Sequence, residues 1–159
     1  MAAARLFPIL ALLAACSTPE PTAAWQVSVV SAAAEDFSGC VEGEAYTEVN
    51  DSFLYEMFLD ESQVFDLRVE GQTFATGSYI DGCTLEYESP AFLTSYEDAE
   101  VQWQLTGSAT AQGAAGGCPM QGDGTDWEGQ EIATVTRSDA SALPVGCQRT
   151  LTVTGTFSP

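Results

Sequence analysis

VFDLRVEGQTFATGSYIDGCTLEYE, residues 64–88, reads as three strands and two turns. Phe65, Leu67 and Val69 alternate with Asp66, Arg68 and Glu70, and Leu85 and Tyr87 alternate with Glu86 and Glu88. Period-two alternation gives a half-buried antiparallel strand with one apolar and one wet face. Asp81-Gly82 lies between Phe74–Ile80 and Cys83–Glu88, the pattern of a two-residue hairpin with a primed turn. Glu70-Gly71-Gln72 marks the turn before it.

The same pattern extends in both directions. Val101, Trp103 and Leu105 alternate with Gln102, Gln104 and Thr106; Leu151, Val153 and Phe157 lie among Thr150, Thr152, Thr154 and Thr156. Further strands are expected at Gln26–Ala32, Val41–Val49, Phe53–Leu59 and Gln130–Arg137, with a turn at Asp60-Glu61-Ser62. Phe53, Leu54, Met57 and Phe58 also fit a helical stripe, but the segment is short and aromatic, which favours a strand. Asn50-Asp51-Ser52 matches a glycosylation sequon and reads as a turn. The expected fold is all-β, an antiparallel meander of eight or nine strands. It closes into an up-and-down barrel of lipocalin-like architecture or, alternatively, forms a two-sheet β-sandwich; closure is favoured because it removes exposed edges. The long loops Ser89–Ala99 and Gly113–Glu128 flank one strand and should lie at opposite ends.

With 45% hydrophobic and 17% charged residues, 159 residues suffice for one globular domain. Acidic residues number 23, against four arginines; lysine and histidine are absent. Beyond Arg5, only Arg68, Arg137 and Arg149 oppose the acids, a balance of −20. Such a surface repels nucleic acid and favours solubility, cations and basic partners, either a basic protein or a cationic ligand.

Residues 1–15 have the layout of an export signal: Arg5, the apolar run Leu6–Leu13, then Ala14-Ala15 before Cys16. Leu13-Ala14-Ala15-Cys16 resembles the lipobox of bacterial lipoproteins. The resemblance implies cleavage before Cys16 and lipidation of its sulfur, and so a membrane-anchored protein of the bacterial envelope. Ser17 after the cysteine favours the outer membrane, facing the periplasm or the cell surface. Residues 16–24, small, polar and proline-bearing, read as the lipidated tether, and residues 25–159 as a single β domain.

Cys40, Cys83, Cys118 and Cys147 remain, an even number that suggests two disulfides in an exported chain. Pairing Cys40 with Cys83 and Cys118 with Cys147 would close two separate loops, although a strict meander puts Cys118 and Cys147 at opposite ends.

Without histidine there is no Ser-His-Asp or Cys-His system and no His-ligated metal site. Without lysine there is no Schiff base, and no glycine-rich nucleotide fingerprint is present. A carboxylate pair could still run a hydrolysis. Asp123, Asp126, Glu128 and Glu131 offer hard oxygen ligands on a glycine-rich stretch and make Ca²⁺ the one cofactor worth considering. Tyr96, Glu97, Asp98 and Glu100 form a second acidic patch. Trp103 reads as core, and Trp127, set among acids and glycine, as exposed. The expected function is a non-catalytic binding or structural module of the envelope. The alternatives are a small-ligand carrier with a barrel cavity and a calcium-binding or carboxylate-based hydrolytic protein. Few small residues mark the strand faces, so the interior is expected to be filled.

Overall fold

The computed structural model describes residues 19–31, 37–41, 49–80, 83–112 and 125–158. Residues 1–15, expected to be a leader, and Cys16 lie outside these residues. Ten strands follow one another: β1 (Ala23–Ser31), β2 (Phe37–Ser38), β3 (Val49–Leu59), β4 (Val64–Val69), β5 (Gln72–Tyr79), β6 (Thr84–Glu88), β7 (Phe92–Tyr96), β8 (Ala99–Ala111), β9 (Trp127–Ser138) and β10 (Gln148–Phe157). Every pairing is antiparallel, in the order β1-β3-β4-β5-β6-β8-β9-β10. β10 then pairs back onto β1, with Trp25 opposite Phe157 and Val30 opposite Thr152. The result is a closed eight-stranded up-and-down barrel, as the alternation and sequential turns lead one to expect, and not a sandwich.

The turn chemistry is local. Glu70 and Gly71 both have positive φ, 52° and 76°, between the ends of β4 and β5, as a primed two-residue turn requires. At the next hairpin, β5 and β6 pair with Tyr79 opposite Leu85; Asp81 and Gly82 lie outside the described residues. Asp60 organises the β3–β4 turn by accepting from the amides of Ser62 and Val64 at 2.8 and 3.0 Å. Phe53–Leu59 is strand, and β3 begins earlier, at Val49. Asn50-Asp51-Ser52 is therefore part of a ladder opposite Val30, Val29 and Ser28, not a turn. Of the strand expected at Val41–Val49, residues 42–48 lie outside the described residues, and Val41 is not in a strand.

The two ends of the barrel differ. At the end where β1 starts and β10 finishes, Trp25, Met57, Phe65 and Trp127 are buried and fill the interior. Three rings lie flat over glycines directly across the ladder: Phe65 over Gly77, Tyr87 over Gly107, and Trp127 over Gly155. A Cβ at any of these glycines would collide with the ring, so the small residues on the inner wall are filled by aromatic neighbours. Trp127 is thus core, at 3% exposure, and not the exposed residue expected. It opens β9, whose alternation turns Glu128 outward and Trp127 inward.

At the opposite end, β8 runs past the barrel and pairs with β7, with Phe92 opposite Trp103 and Tyr96 opposite Ala99. β2 pairs with the start of β10, Phe37 opposite Arg149. This pairing explains the disulfide. Cys40 is bonded to Cys147, 107 residues away, and not to Cys83 as expected. Barrel closure brings the early and late segments of the chain together, which loop-by-loop reasoning cannot see. Cys83, at the other end beside the β5–β6 hairpin, is also disulfide-bonded, and Cys118 lies outside the described residues.

Candidate functional site

The half of the barrel behind β7 is not filled. A cavity of about 550 Å³ opens there, lined by Val29, Val49, Phe53, Phe74, Leu105 and Leu151, with Asp51 and Phe92 towards the mouth. A second chamber of about 440 Å³ shares Val49, Phe92, Leu105 and Leu151 with the first and continues past Trp103 to Phe37 and Arg149. The interior expected to be packed solid is therefore solid only at one end. Volumes of this order suit a small molecule.

Glu131 forms the floor of the larger chamber. On β9 it shares the inward phase with Trp127, Gly129, Ala133 and Val135, so strand geometry alone delivers a carboxyl into an apolar wall. Its neighbours across the ladder are Gly107 and Leu151. Because Gly107 has no side chain, the Tyr87 ring lies across that position, and its hydroxyl donates to Glu131 Oε1 at 2.7 Å. Tyr55, from β3 on the far wall, donates to the same oxygen at 3.1 Å. Among the described residues, Oε2 takes no hydrogen bond. Phe74 packs against both tyrosines, its centroid 4.7 Å from that of Tyr55 and 6.5 Å from that of Tyr87.

Glu131 is 2% exposed. Burial pushes its pKa above the usual carboxylate range, while the hydrogen bonds from Tyr87 and Tyr55 pull part of the way back. The same burial, reinforced by the negative field of Glu131, holds the phenols of Tyr55 and Tyr87 well above 10. Tyr79, half-buried on β5 near the filled end, is pushed up to about 12 by burial alone.

These shifts fix the pH response of the fold. A phenol whose pKa is raised on folding contributes stability that is intact below its unfolded value of about 10 and is lost as pH rises through the folded value. Glu131 follows the same sign at acid pH: its contribution is complete below its unfolded pKa and disappears as pH rises through the raised one. On alkaline titration, Tyr55, Tyr79 and Tyr87 should therefore ionise together with unfolding, in a cooperative step above about pH 10. Tyrosinate absorbance and far-ultraviolet circular dichroism followed in parallel check this. Ionisation of all the tyrosines before any loss of ellipticity would contradict the buried cluster.

Among the described residues, Asp126, Glu128 and Glu131 form no cluster of three ligands. Glu128 and Glu131 sit on opposite faces of β9, one in solvent and one inside the barrel. Asp126 Oδ1 accepts from the Phe157 amide at 3.0 Å, and Asp123 lies outside the described residues. The acidic patch is as expected in position: Glu97, Asp98 and Glu100 join Asp139 around a polar hollow on the outside of the mouth, where Arg137 pairs with Glu100 at 3.2 Å. Trp103 is only partly buried; it lines the smaller chamber and donates through Nε1 to Thr94 on β7 at 3.0 Å. Trp25, by contrast, is deep core, with Nε1 donating to the Thr125 carbonyl at 3.0 Å.

No protein-family model matches the chain, and no curated protein or solved structure matches it either.

Proposed function

We propose that the protein is a non-catalytic binding protein of the bacterial envelope, anchored through lipid on Cys16, that carries a small apolar ligand in the open half of its barrel. The observation that carries this reading is the pair of adjoining, mainly apolar chambers behind β7, which share four lining residues. A barrel that needed only to be stable would fill that volume as it fills the opposite end, since each unfilled methyl-sized space costs about 1 kcal/mol. The lipobox, the Cys40–Cys147 bond and the acidic surface support an extracytoplasmic address.

The site has the features of a ligand pocket: concave, lined by hydrocarbon and rings, and provided with one convergent polar group. Asp51 borders the same chamber as Glu131, so a carboxylate-pair hydrolase is the second reading. It differs in outcome: a carrier returns its ligand intact, whereas a hydrolase turns it over.

The neutral fluorophore N-phenyl-1-naphthylamine should bind the full chain saturably, one molecule per barrel. Leu105 borders both chambers. Leu105→Trp, which adds a ring to that shared wall, should weaken binding about 10-fold or more while the circular dichroism stays unchanged. Absence of saturable binding to the wild-type chain would sink the carrier reading.

A further inference from the structure

The carboxyl of Glu131 is the feature that a purely apolar pocket does not explain. It rests on the chamber floor, 2% exposed, with one oxygen engaged by two tyrosine hydroxyls and the other, Oε2, without a hydrogen bond among the described residues. Oε2 keeps a little exposure to the chamber, and holding a carboxyl this far from bulk water is costly, a cost offset when a ligand brings a donor to it. Tyr55 and Phe74 line the same chamber, with ring centroids 4.7 Å apart, and Tyr87 reaches the carboxyl through its hydroxyl. A deeply held carboxylate acceptor in a chamber that is also lined by aromatic rings is the chemistry that receives a cation: a charge-assisted hydrogen bond at the carboxylate, with cation–π attraction open to a charge that settles over a ring.

The long-range field agrees. A mature surface balance of −20 draws cations towards the barrel and repels anions. Asp51 adds a second carboxylate on the wall of the same chamber, nearer the mouth. The charged and titratable groups facing Glu131 are then Tyr55 and Asp51 from β3, Tyr87 from β6 and, from β10, Arg149. Arg149 lies one inward step towards the mouth from Leu151, the residue opposite Glu131, and lines the neighbouring chamber. Its guanidinium donates through Nε to Ser31 Oγ at 3.2 Å and lies over the Phe37 ring at 4.9 Å.

We infer that the ligand is an amine on an apolar skeleton, its ammonium donating to Glu131 Oε2 in the chamber lined by Tyr55 and Phe74 and its hydrocarbon running towards Phe92 and the mouth. This assignment rests on the carrier reading above and gives it a ligand class. The ionised carboxylate is the form that receives the ammonium. Where Glu131 is protonated, binding releases its proton, so affinity for an amine rises with pH through the raised pKa of Glu131 and declines only above about 10, where an alkylamine itself loses its charge.

The test is a calorimetric comparison of n-octylamine, 1-octanol and octanoate, three probes of equal chain length, on the full chain. Octylamine should bind about 10-fold or more tightly than octanol near neutral pH, the ratio expected of a charge-assisted bond to a buried carboxylate, with octanoate weakest. Lowering the pH through the raised pKa of Glu131 should weaken octylamine and leave octanol unchanged. Glu131→Gln should bring octylamine down to the level of octanol. If octanol or octanoate binds as well as octylamine to the wild-type chain, the amine assignment is overturned and the carrier reading stands. If none of the three binds, the carrier reading falls and this inference with it. The wild-type comparison decides between these outcomes even if Glu131→Gln does not fold.

Discussion

Replacing Cys40 and Cys147 together by alanine should lower the unfolding free energy by about 4 kcal/mol, because the bond closes a loop of the order of 100 residues in the unfolded chain. The two sulfurs join positions 107 apart in sequence, and Cys147 is fully buried against Val101, Val135 and Leu143 in a small second core at the mouth. The loss is twofold. The denatured chain gains the entropy of an open loop, and β2 loses the anchor that holds its two residues against Gln148 and Arg149. A two-residue ladder has little stability of its own. Guanidinium unfolding should show a lower midpoint, and amide exchange at Phe37 and Ser38 should speed up more than exchange at β5 or β9. A change below about 1 kcal/mol would mean that barrel closure through β1 and β10 holds the mouth without the cross-link.

The second large effect is expected at Gly107. A methyl group there would lie far inside van der Waals contact with the Tyr87 ring and its hydroxyl. Tyr87 has nowhere to retreat, since its ring also packs against Phe74 and its hydroxyl holds Glu131. Gly107→Ala should therefore cost about 3 kcal/mol, combining overpacking with a weakened hydrogen bond to a buried carboxyl. The cause is testable by a double-mutant cycle. In a Tyr87→Leu background the same alanine should cost less than about 1 kcal/mol, because the ring it strikes is gone. Additive costs in the two backgrounds would show that the glycine is needed for some reason other than Tyr87.

Much of the barrel is legible in the sequence because its strands carry their own evidence. Phe65, Leu67 and Val69 declare an inward phase with no help from the rest of the fold, and the Gly71 turn is local chemistry. What the sequence does not reveal depends on closure. β2 is two residues long and exists only because β10 lies beside it. The Cys40–Cys147 bond follows from the same meeting of distant segments. β7, the run Phe92–Tyr96, falls inside the expected loop Ser89–Ala99 although its residues favour strand, since it pairs only with the overhang of β8.

Glu131 is hidden in the sequence for a more instructive reason. Taken with Asp123, Asp126 and Glu128, it looks like one more acid on an acidic loop. Starting the strand at Trp127 instead of Gln130 places it in phase with Trp127, Ala133 and Val135, where an acid is an anomaly. A charged residue on the apolar phase of a strand is the signal that would have found the site. Gly107 carries a matching one, since it keeps the inward phase of Leu105 and Ala109 yet has no side chain to pack. The filled interior was expected from too few small residues, but the glycines turn out to host rings. The open volume lies instead at the other end, where Phe53, Phe74, Phe92 and Trp103 line the chambers without filling them.

β1 starts and β10 finishes at the filled end, with Ser158 donating its amide to the Ala24 carbonyl at 2.9 Å. The chambers open at the other end, beside β7. The points where chain joins β1 and leaves β10 thus lie at the base of the vessel, away from its rim. The barrel can be immobilised, labelled or fused on that side without obstructing what enters it, and a second domain joined there would share the ligand's surroundings but not its doorway.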